Sequence, residues 1–126
     1  MSETRFFRCS HCGNIIGLIH DSGVPVVCCG EPMKELIPNT VEASQEKHLP
    51  VATVSDDAVT VKIGSAPHPM IPEHSIQWVY LKTTAGGHRK SLAPGEQPEA
   101  SFALKDEKPV AVYAYCNLHG LWMTKL

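Results

Sequence analysis

The segment Val110-Ala111-Val112-Tyr113-Ala114-Tyr115-Cys116-Asn117-Leu118-His119 places an apolar β-type run directly before a Cys-x2-His pair. Its first six residues are β-branched, aromatic or small, a composition that favours a buried strand. Cys116 and His119 follow at once, and a thiolate with an imidazole suits iron, copper or zinc. The segment therefore predicts a β-rich fold with a metal-ligand pair at the end of one strand.

Sequence on both sides of this segment has the same strand character. Val59, Val61 and Ile63 alternate with polar residues, and aromatic and β-branched residues fill Ile76–Lys82. A last strand is expected at Leu121–Leu126, and turn signals lie at Asp56-Asp57, Gly86-Gly87 and Pro94-Gly95. Short strands, frequent turns and no helical periodicity predict an all-β fold, with residues 46–126 forming an antiparallel β-sandwich.

Residues 1–36 are predicted to form a separate small domain, and residues 37–45 a linker in which Pro38 and Asn39 mark the break. The small domain has short extended runs at Thr4–Cys9, Ile15–His20 and Val24–Cys29. Below about 40 residues a chain seldom buries enough apolar surface to fold without a metal, a disulfide or a partner. This size argument predicts that the first domain is stabilised by a metal, a disulfide or a partner chain.

Composition excludes several classes of function. The 126 residues include 11 basic and 13 acidic side chains, a net charge of -2, and no basic stripe for nucleic acid stands out. No apolar run approaches the ~20 residues that span a bilayer, and no signal peptide follows Met1. A cytoplasmic protein is therefore expected, without nucleic acid or membrane partners, and its five cysteines would be reduced.

The first metal constellation is Cys9-x2-Cys12 with the adjacent Cys28-Cys29. Four thiolates suit a tetrahedral zinc or iron site. Adjacent residues of a strand point to opposite faces, so both can bind one ion only if the backbone twists locally. A distorted tetrahedron is expected. The alternatives are buried apolar thiols or two disulfides, and spacing alone does not choose iron over zinc.

The second constellation combines the Cys116–His119 pair with histidines in loops. His48 precedes Pro50, while His68 and His74 lie in a proline-rich loop whose restricted conformation suits the presentation of ligands. Each histidine taken singly is more often a surface residue than a ligand. The set is more specific, because one thiolate with several imidazoles makes a nitrogen-rich site for iron, copper or zinc.

These motifs together resemble the desulfoferrodoxin family, the two-iron superoxide reductases, over essentially the whole chain. Cys9-x2-Cys12-x15-Cys28-Cys29 resembles the desulforedoxin-like module, which implies a distorted Fe(Cys)4 centre. The catalytic-domain motifs are matched by Glu46-Lys47-His48, His68-Pro69-Met70, Pro72-Glu73-His74 and Cys116-Asn117-Leu118-His119-Gly120-Leu121-Trp122. Every expected ligand has a match in order.

The resemblance implies an immunoglobulin-like β-sandwich and an Fe(His)4Cys centre. Four histidines would bind the iron in a plane: His48, His68, His74 and His119. Cys116 would be the axial ligand, and the sixth position would be vacant in the ferrous state. Superoxide would be reduced there to hydrogen peroxide. The resemblance also implies a homodimer and a rubredoxin-like electron donor.

Four further residues have expected roles beside this centre. Lys47 would attract anionic superoxide and stabilise peroxide charge. Glu46 resembles the family glutamate that binds the vacant position once the iron is ferric. Backbone N–H groups of Asn117 and Leu118 would donate to the Cys116 sulfur and so tune the redox potential of the centre. For Lys47 and Glu46 the alternative is a solvated surface side chain.

Three other functions remain open on sequence alone. A zinc-ribbon interaction protein explains the four clustered cysteines but not the histidines, and zinc would leave it colourless. An electron carrier would use both irons without an open site for a small anion. A superoxide dismutase would act on the same substrate but release oxygen.

Trp78, Tyr115 and Trp122 are expected to be core or site-wall residues rather than electron relays. The three remaining histidines are expected to be surface residues: His11, His20 and His88.

Overall fold

A computed structural model describes residues 4–126 and divides the chain into two compact units, one ending at Ile37 and the other spanning Pro38–Leu126. Each unit is built from strands and turns. Within the described residues, no helix is long and apolar enough to cross a membrane.

The first unit contains five short strands: β1 (Arg5–Arg8), β2 (Ile15–Leu18), β3 (Val27–Cys28), β4 (Glu31–Pro32) and β5 (Lys34–Leu36). β1 is the centre of an antiparallel sheet of order β2-β1-β5, and β3 and β4 form a separate hairpin. The buried apolar residues described in this unit are Phe6, Cys9 and Met33. So small a core agrees with the expectation that a metal stabilises the unit.

The backbone at Cys28-Cys29 has the local twist that the sequence predicted. Cys28 ends β3 in extended conformation, and Cys29 then adopts a φ of 53°, in the left-handed region that a non-glycine residue seldom enters. This change of conformation lets two adjacent cysteines turn towards one point, which an undistorted strand would not allow.

The second unit contains one short helix and seven strands: α1 (Gln45–His48), β6 (Pro50–Val54), β7 (Ala58–Ile63), β8 (Ile76–Thr83), β9 (Gly86–Ser91), β10 (Glu99–Ala103), β11 (Pro109–Cys116) and β12 (Gly120–Lys125). They form two antiparallel sheets, of order β10-β7-β6 and β12-β11-β8-β9. The predicted all-β fold with a sandwich is confirmed.

The core lies between the two sheets. Val59, Val61 and Ile63 of β7 are almost fully buried and alternate with less buried residues, as expected for a strand with one face on the core. β11 is buried along six consecutive residues. Val112, Ala114 and Cys116 belong to the core, and the alternate residues Tyr113 and Tyr115 pack against aromatic rings of β8. The core therefore fixes β11 firmly, and with it the position of Cys116 at its end.

The sequence missed α1 and the strands β6, β9 and β10. A helix of four residues is too short to show a helical period. Gly86-Gly87 was predicted to be a turn, but both residues begin β9, and the turn is formed by Thr84 and Ala85. A Cβ at position 87 would meet the Tyr80 hydroxyl on the neighbouring strand, so a larger residue there requires the Tyr80 side chain to move.

Gly64, which follows β7, supports the backbone of α1. Its φ is +83°, its N–H donates to the Leu49 carbonyl (3.0 Å), and a Cβ would lie 2.6 Å from the Glu46 carbonyl oxygen. The obstructing atoms are backbone, so a side chain could not be accommodated by a change of rotamer.

Gly64→Ala is therefore expected to lower the free energy of unfolding by about 2 kcal/mol or more, through left-handed strain plus the steric clash. Chemical denaturation of the holoprotein measures this. Gly95→Ala is the matched control, because Gly95 also has a positive φ (+90°) but nothing within 4 Å of its Cβ position, so only the strain of about 1 kcal/mol applies. Equal losses in the two variants would contradict the packing argument.

Candidate metal centres

The four clustered cysteines converge on one point of the first unit. Cys9 and Cys12 lie in the turn after β1, and Cys28 and Cys29 lie at the end of β3 and in the turn that follows. Their sulfur atoms all lie within 4.8 Å of one another, and Cys12 Sγ is 3.6 Å from Cys28 Sγ. Sulfurs that bind one ion at about 2.3 Å in a tetrahedron are separated by distances of this order.

The electrostatics of this group favour a cation. The pKa of Cys9 is lowered to about 6, and the main cause is a hydrogen bond from the Cys12 backbone N–H to its sulfur. This sulfur is therefore readily deprotonated. In contrast, hydrogen bonds with the neighbouring sulfurs, Cys12 first, raise the pKa of Cys29 to about 12, and repulsion by the charge of Cys12 adds to this effect. A divalent or trivalent cation would offset that repulsion, so the donor set and its charge both fit iron. None of the five cysteines forms a disulfide, which excludes that alternative in the structure.

The second group gathers residues from four segments of the second unit. His48 ends α1, His68 and His74 lie in the loop between β7 and β8, Cys116 ends β11, and His119 immediately precedes β12. The ligand atoms of His48, His68, His74 and Cys116 all lie within 4.8 Å of one another. His119 Nδ1 is 3.1 Å from His48 Nε2 and 3.9 Å from Cys116 Sγ, so the fourth histidine borders the same space.

The four imidazole rings form a closed square. Neighbouring rings meet edge to face, with centroids 4.7 Å apart for His48–His68, 4.6 Å for His68–His74, 5.1 Å for His74–His119 and 4.8 Å for His48–His119. The diagonal from His48 to His74 is longer, at 6.4 Å. Four rings in this order surround one point, where the donor atoms of His48, His68 and His74 lie close to Cys116 and His119 lies beside them.

Backbone carbonyls determine which nitrogen of two rings faces that point. His48 Nδ1 is 2.6 Å from the Ser44 carbonyl oxygen, and His68 Nδ1 is 2.7 Å from the Pro69 carbonyl oxygen. A carbonyl only accepts, so each Nδ1 carries the proton and donates it. Each Nε2 is left with a free lone pair towards the cluster, which is the usual support of a metal-binding histidine.

Burial keeps these histidines neutral. It is the main cause of the lowered pKa of His48, of His74 and of His68, whose pKa falls to about 4. Neutral imidazole is the form that binds a metal. Among the described residues, His74 Nε2 is the buried side-chain nitrogen or oxygen that has no hydrogen-bond partner. A buried polar atom without a partner is costly, and an ion at the centre of the square would remove that cost.

Cys116 supplies the sulfur. Its side chain is fully buried, which raises the pKa of its thiol, while N–H groups of His119 and Leu118 act in the opposite direction. The expectation that the Asn117 N–H donates to this sulfur is wrong. That N–H donates instead to the Ser75 carbonyl (3.2 Å), because the chain turns after Cys116 towards the loop that carries His74.

The sequence predicted Trp122 to be a core or site-wall residue without identifying its contacts. Its indole stacks on His48 with centroids 5.0 Å apart, and its Nε1–H donates to the His119 carbonyl (3.1 Å). Trp122 thus supports two of the four histidines. Trp78 stacks on Tyr115, with ring centroids 5.5 Å apart.

The remaining predicted residues lie outside the ring of ligands. Glu46 and Lys47 are exposed on α1, directly before His48. The charge of Lys47 reaches the cluster, since it adds to burial and to His119 in lowering the pKa of His74. His11 and His88 form carboxylate pairs, with Glu31 at 2.9 Å and with Glu107 at 2.8 Å, and His20 is exposed.

Comparison with known proteins connects both metal groups to one family. The sequence model described as desulfoferrodoxin matches residues 40–125, and that of the desulfoferrodoxin N-terminal domain matches residues 2–36. A desulfoferrodoxin of Syntrophotalea carbinolica is 45% identical over 119 residues, covering 94% of both chains. A desulfoferrodoxin of Nitratidesulfovibrio vulgaris is 42% identical, covering 96% of this chain and 95% of the relative.

Solved structures show the same relationship. The superoxide reductase from Treponema pallidum superposes with a TM-score of 0.83 at 41% identity, covering 98% of this chain and all of the other. A superoxide reductase from Giardia intestinalis described as 1Fe-SOR superposes with a TM-score of 0.56 at 32% identity. It covers 64% of this chain, and 97% of the Giardia chain is matched.

Proposed function

Since this chain belongs to the desulfoferrodoxin family, we infer that it is a superoxide reductase with two iron sites, and that the reaction takes place at the histidine–cysteine centre. The reaction adds one electron and two protons to superoxide and forms hydrogen peroxide. The observation that carries this assignment is the square of four histidines beside a buried cysteine, in which His74 Nε2 has no partner among the described residues.

The residues of the second unit supply what this reaction needs from a protein. Iron bound there would provide the electron. The depressed pKa values keep His48, His68 and His74 neutral, so Cys116 is the ligand that contributes negative charge when deprotonated. A thiolate ligand donates electron density and favours electron transfer to the substrate. The surrounding core excludes water from the sulfur, which is fully buried.

The N-terminal centre has a separate role in this proposal. The Giardia protein described as 1Fe-SOR matches only about two thirds of this chain, which supports the view that a single centre is enough for the reaction. We assign residues 1–36 to a desulforedoxin-like Fe(Cys)4 domain, residues 37–45 to a linker and residues 46–126 to the catalytic domain. The first centre then stabilises its own domain, and any electron transfer from it is additional.

Lys47 is proposed to attract the substrate. Its ammonium group is exposed on α1, next to a ligand, and its charge acts on the pKa of both His48 and His74. Superoxide is an anion, so a cation at this position raises the local concentration of substrate. Glu46 is proposed to act beside it, as the carboxylate that approaches the centre after the electron has been transferred.

Lys47→Ala is expected to lower the second-order rate constant with superoxide about 3- to 10-fold at low ionic strength and to flatten its dependence on salt, because steering is screened by ions. Stopped-flow or pulse-radiolysis kinetics at several ionic strengths measure both effects. Lys105→Ala is the matched control, because it removes the same charge from the exposed loop before β11, at the opposite end of that strand from Cys116. Its rate constant and salt dependence should stay close to those of the wild type. A salt dependence that stays at the wild-type slope in Lys47→Ala would rule out steering.

Two alternatives are separated from this function by binding and spectroscopy. A zinc-ribbon protein would be colourless, whereas ferric thiolate sites absorb visible light. A pure electron carrier needs no open position, so azide or cyanide would leave its spectrum unchanged. We expect azide to perturb the absorption of the histidine–cysteine centre and to leave that of the four-cysteine centre unaffected. An azide-insensitive second centre that consumes no superoxide would reject the proposal.

Partners and location are also part of the proposal. We propose a rubredoxin-like protein as electron donor, a homodimer as the working assembly, and the cytoplasm as the compartment. The family resemblance supports all three, and reduced cysteines suit a compartment that keeps thiols reduced. Size-exclusion chromatography with light scattering tests the dimer, and reduction of the oxidised protein by a reduced rubredoxin tests the donor.

A further inference from the structure

Asn117 binds the backbone on both sides of His74. Its side-chain Oδ1 accepts the N–H of Ser75 (2.9 Å), and its Nδ2–H donates to the Glu73 carbonyl (3.0 Å). The Asn117 backbone N–H also donates to the Ser75 carbonyl (3.2 Å). Asn117 directly follows Cys116, so it connects the chain at the Cys116 sulfur to the chain at His74, which lies 42 residues before Cys116.

His74 depends on this connection more than His48 and His68 do. His48 and His68 are oriented by carbonyl groups that accept from Nδ1. The buried Nε2 of His74 has no hydrogen-bond partner in the described part of the chain. Its backbone pairs with Ile71 within the same loop, at 3.1 Å in both directions, which shapes the loop but does not attach it to Cys116.

The loop that carries His74 makes this attachment important. Residues 64–75 connect β7 to β8 without regular structure, and they carry two histidines of the square. β11 is fixed by the core, while the loop has exposed residues on the N-terminal side of His74, at 71–73. The Asn117 side chain transmits the rigid position of β11 to that loop.

We propose that Asn117 is a positioning residue that holds His74 at the distance from Cys116 required by a shared ion, and so sets the metal affinity and midpoint potential of the second centre. The inference rests on the proposed function for its biological meaning, but its physical content concerns metal retention alone. Outer partners that orient metal ligands typically contribute 10- to 100-fold in metal affinity. Asn117 does so through hydrogen bonds to backbone rather than to the imidazole.

Two variants separate the hydrogen bonds. Asn117→Ala removes both side-chain bonds, whereas Asn117→Asp keeps an oxygen that can accept the Ser75 N–H and loses the donor to the Glu73 carbonyl. The matched control is Asn39→Gly. Asn39 makes the same pair of bonds with Met123, from Nδ2 to the carbonyl (3.0 Å) and from the Met123 N–H to Oδ1 (2.9 Å), and its φ of 62° suits glycine. It therefore loses equivalent bonds at a residue outside the square.

The test is the rate at which reduced holoprotein loses iron from the second centre to a ferrous chelator, together with the midpoint potential of that centre and the melting temperature. We expect iron loss about 10-fold faster or more in Asn117→Ala, an intermediate rate in Asn117→Asp, a shifted potential in both, and wild-type iron loss in Asn39→Gly.

Wild-type iron retention and potential in Asn117→Ala would overturn the proposal. The proposal would also be overturned if Asn39→Gly lost iron as fast as Asn117→Ala at a similar fall in melting temperature, because that result would indicate a general effect on stability. If Asn117→Ala does not fold, the comparison of Asn117→Asp with Asn39→Gly decides the matter in the same way. Failure of the wild-type protein to consume superoxide would reject the proposed function and leave this comparison valid.

Discussion

Replacing Cys116 by serine is expected to reduce the rate of superoxide consumption at least about 100-fold, even when iron occupancy is matched. Loss of a partner that only orients a ligand costs about 10- to 100-fold, and Cys116 is itself a ligand in this assignment. A serine hydroxyl stays neutral where a thiolate would carry charge, so the histidine-rich site would lose its one anionic donor. The side chain is fully buried, and water cannot replace the sulfur.

The measurement is superoxide consumption by reduced protein at equal iron content, with the visible spectrum of the oxidised form recorded in parallel. The thiolate absorption of the second centre should disappear together with the activity. Cys116→Ala checks that the effect is not caused by a buried hydroxyl, because Cys116 belongs to the apolar core of the sandwich. Cys29→Ser makes the same chemical change in the other centre and should keep most activity. Activity retained in Cys116→Ser would contradict the assignment of the site.

Removing the metal from the first centre is expected to unfold residues 5–36 at room temperature while residues 38–126 stay folded. Among the described residues, the first unit buries three apolar side chains, Phe6, Cys9 and Met33, and one of these is itself a metal ligand in the proposal. Too little apolar surface is buried to offset the loss of chain entropy. Metal binding is then folding free energy, with apparent values of about 10 kcal/mol or more for structural sites.

Hydrogen exchange followed segment by segment measures this effect in a Cys12→Ala, Cys29→Ala double variant. Amides of β1, β2 and β5 should lose protection by several orders of magnitude, whereas those of β8 and β11 keep it. His11→Ala is the control, because His11 lies in the same turn and contributes no sulfur to the site. Protection that persists in the double variant would show that the small unit folds without metal.

The strands of the sandwich could be predicted where one physical signal dominated. Val59, Val61 and Ile63 alternate with polar residues because β7 has one face on the core, and β11 is continuously apolar because residues on both of its faces are buried. β9 was missed because its residues are exposed on both faces, so no alternation appears, and its two glycines resemble a turn. The twist at Cys29 was predicted from the ligand requirement and is present in the backbone.

The ligands of the second centre were accessible to sequence reasoning only as a set. Each histidine alone is uninformative, and the family resemblance supplied the grouping that the structure then brought together in space. The supporting contacts were not accessible. That His48 donates to the Ser44 carbonyl, that Trp122 stacks on His48, and that Asn117 bonds on both sides of His74 all depend on tertiary placement. Every residue has a backbone carbonyl, so the sequence does not show which carbonyl accepts a hydrogen bond from a histidine.

The product stoichiometry of superoxide consumption, measured on the two-iron protein with an excess of reductant, separates reduction from dismutation. Superoxide reductase activity predicts one hydrogen peroxide for each superoxide consumed, one electron drawn from the reductant, and no oxygen. Production of oxygen in an amount equal to the peroxide, with no electron drawn from the reductant, would show dismutation and contradict the assignment.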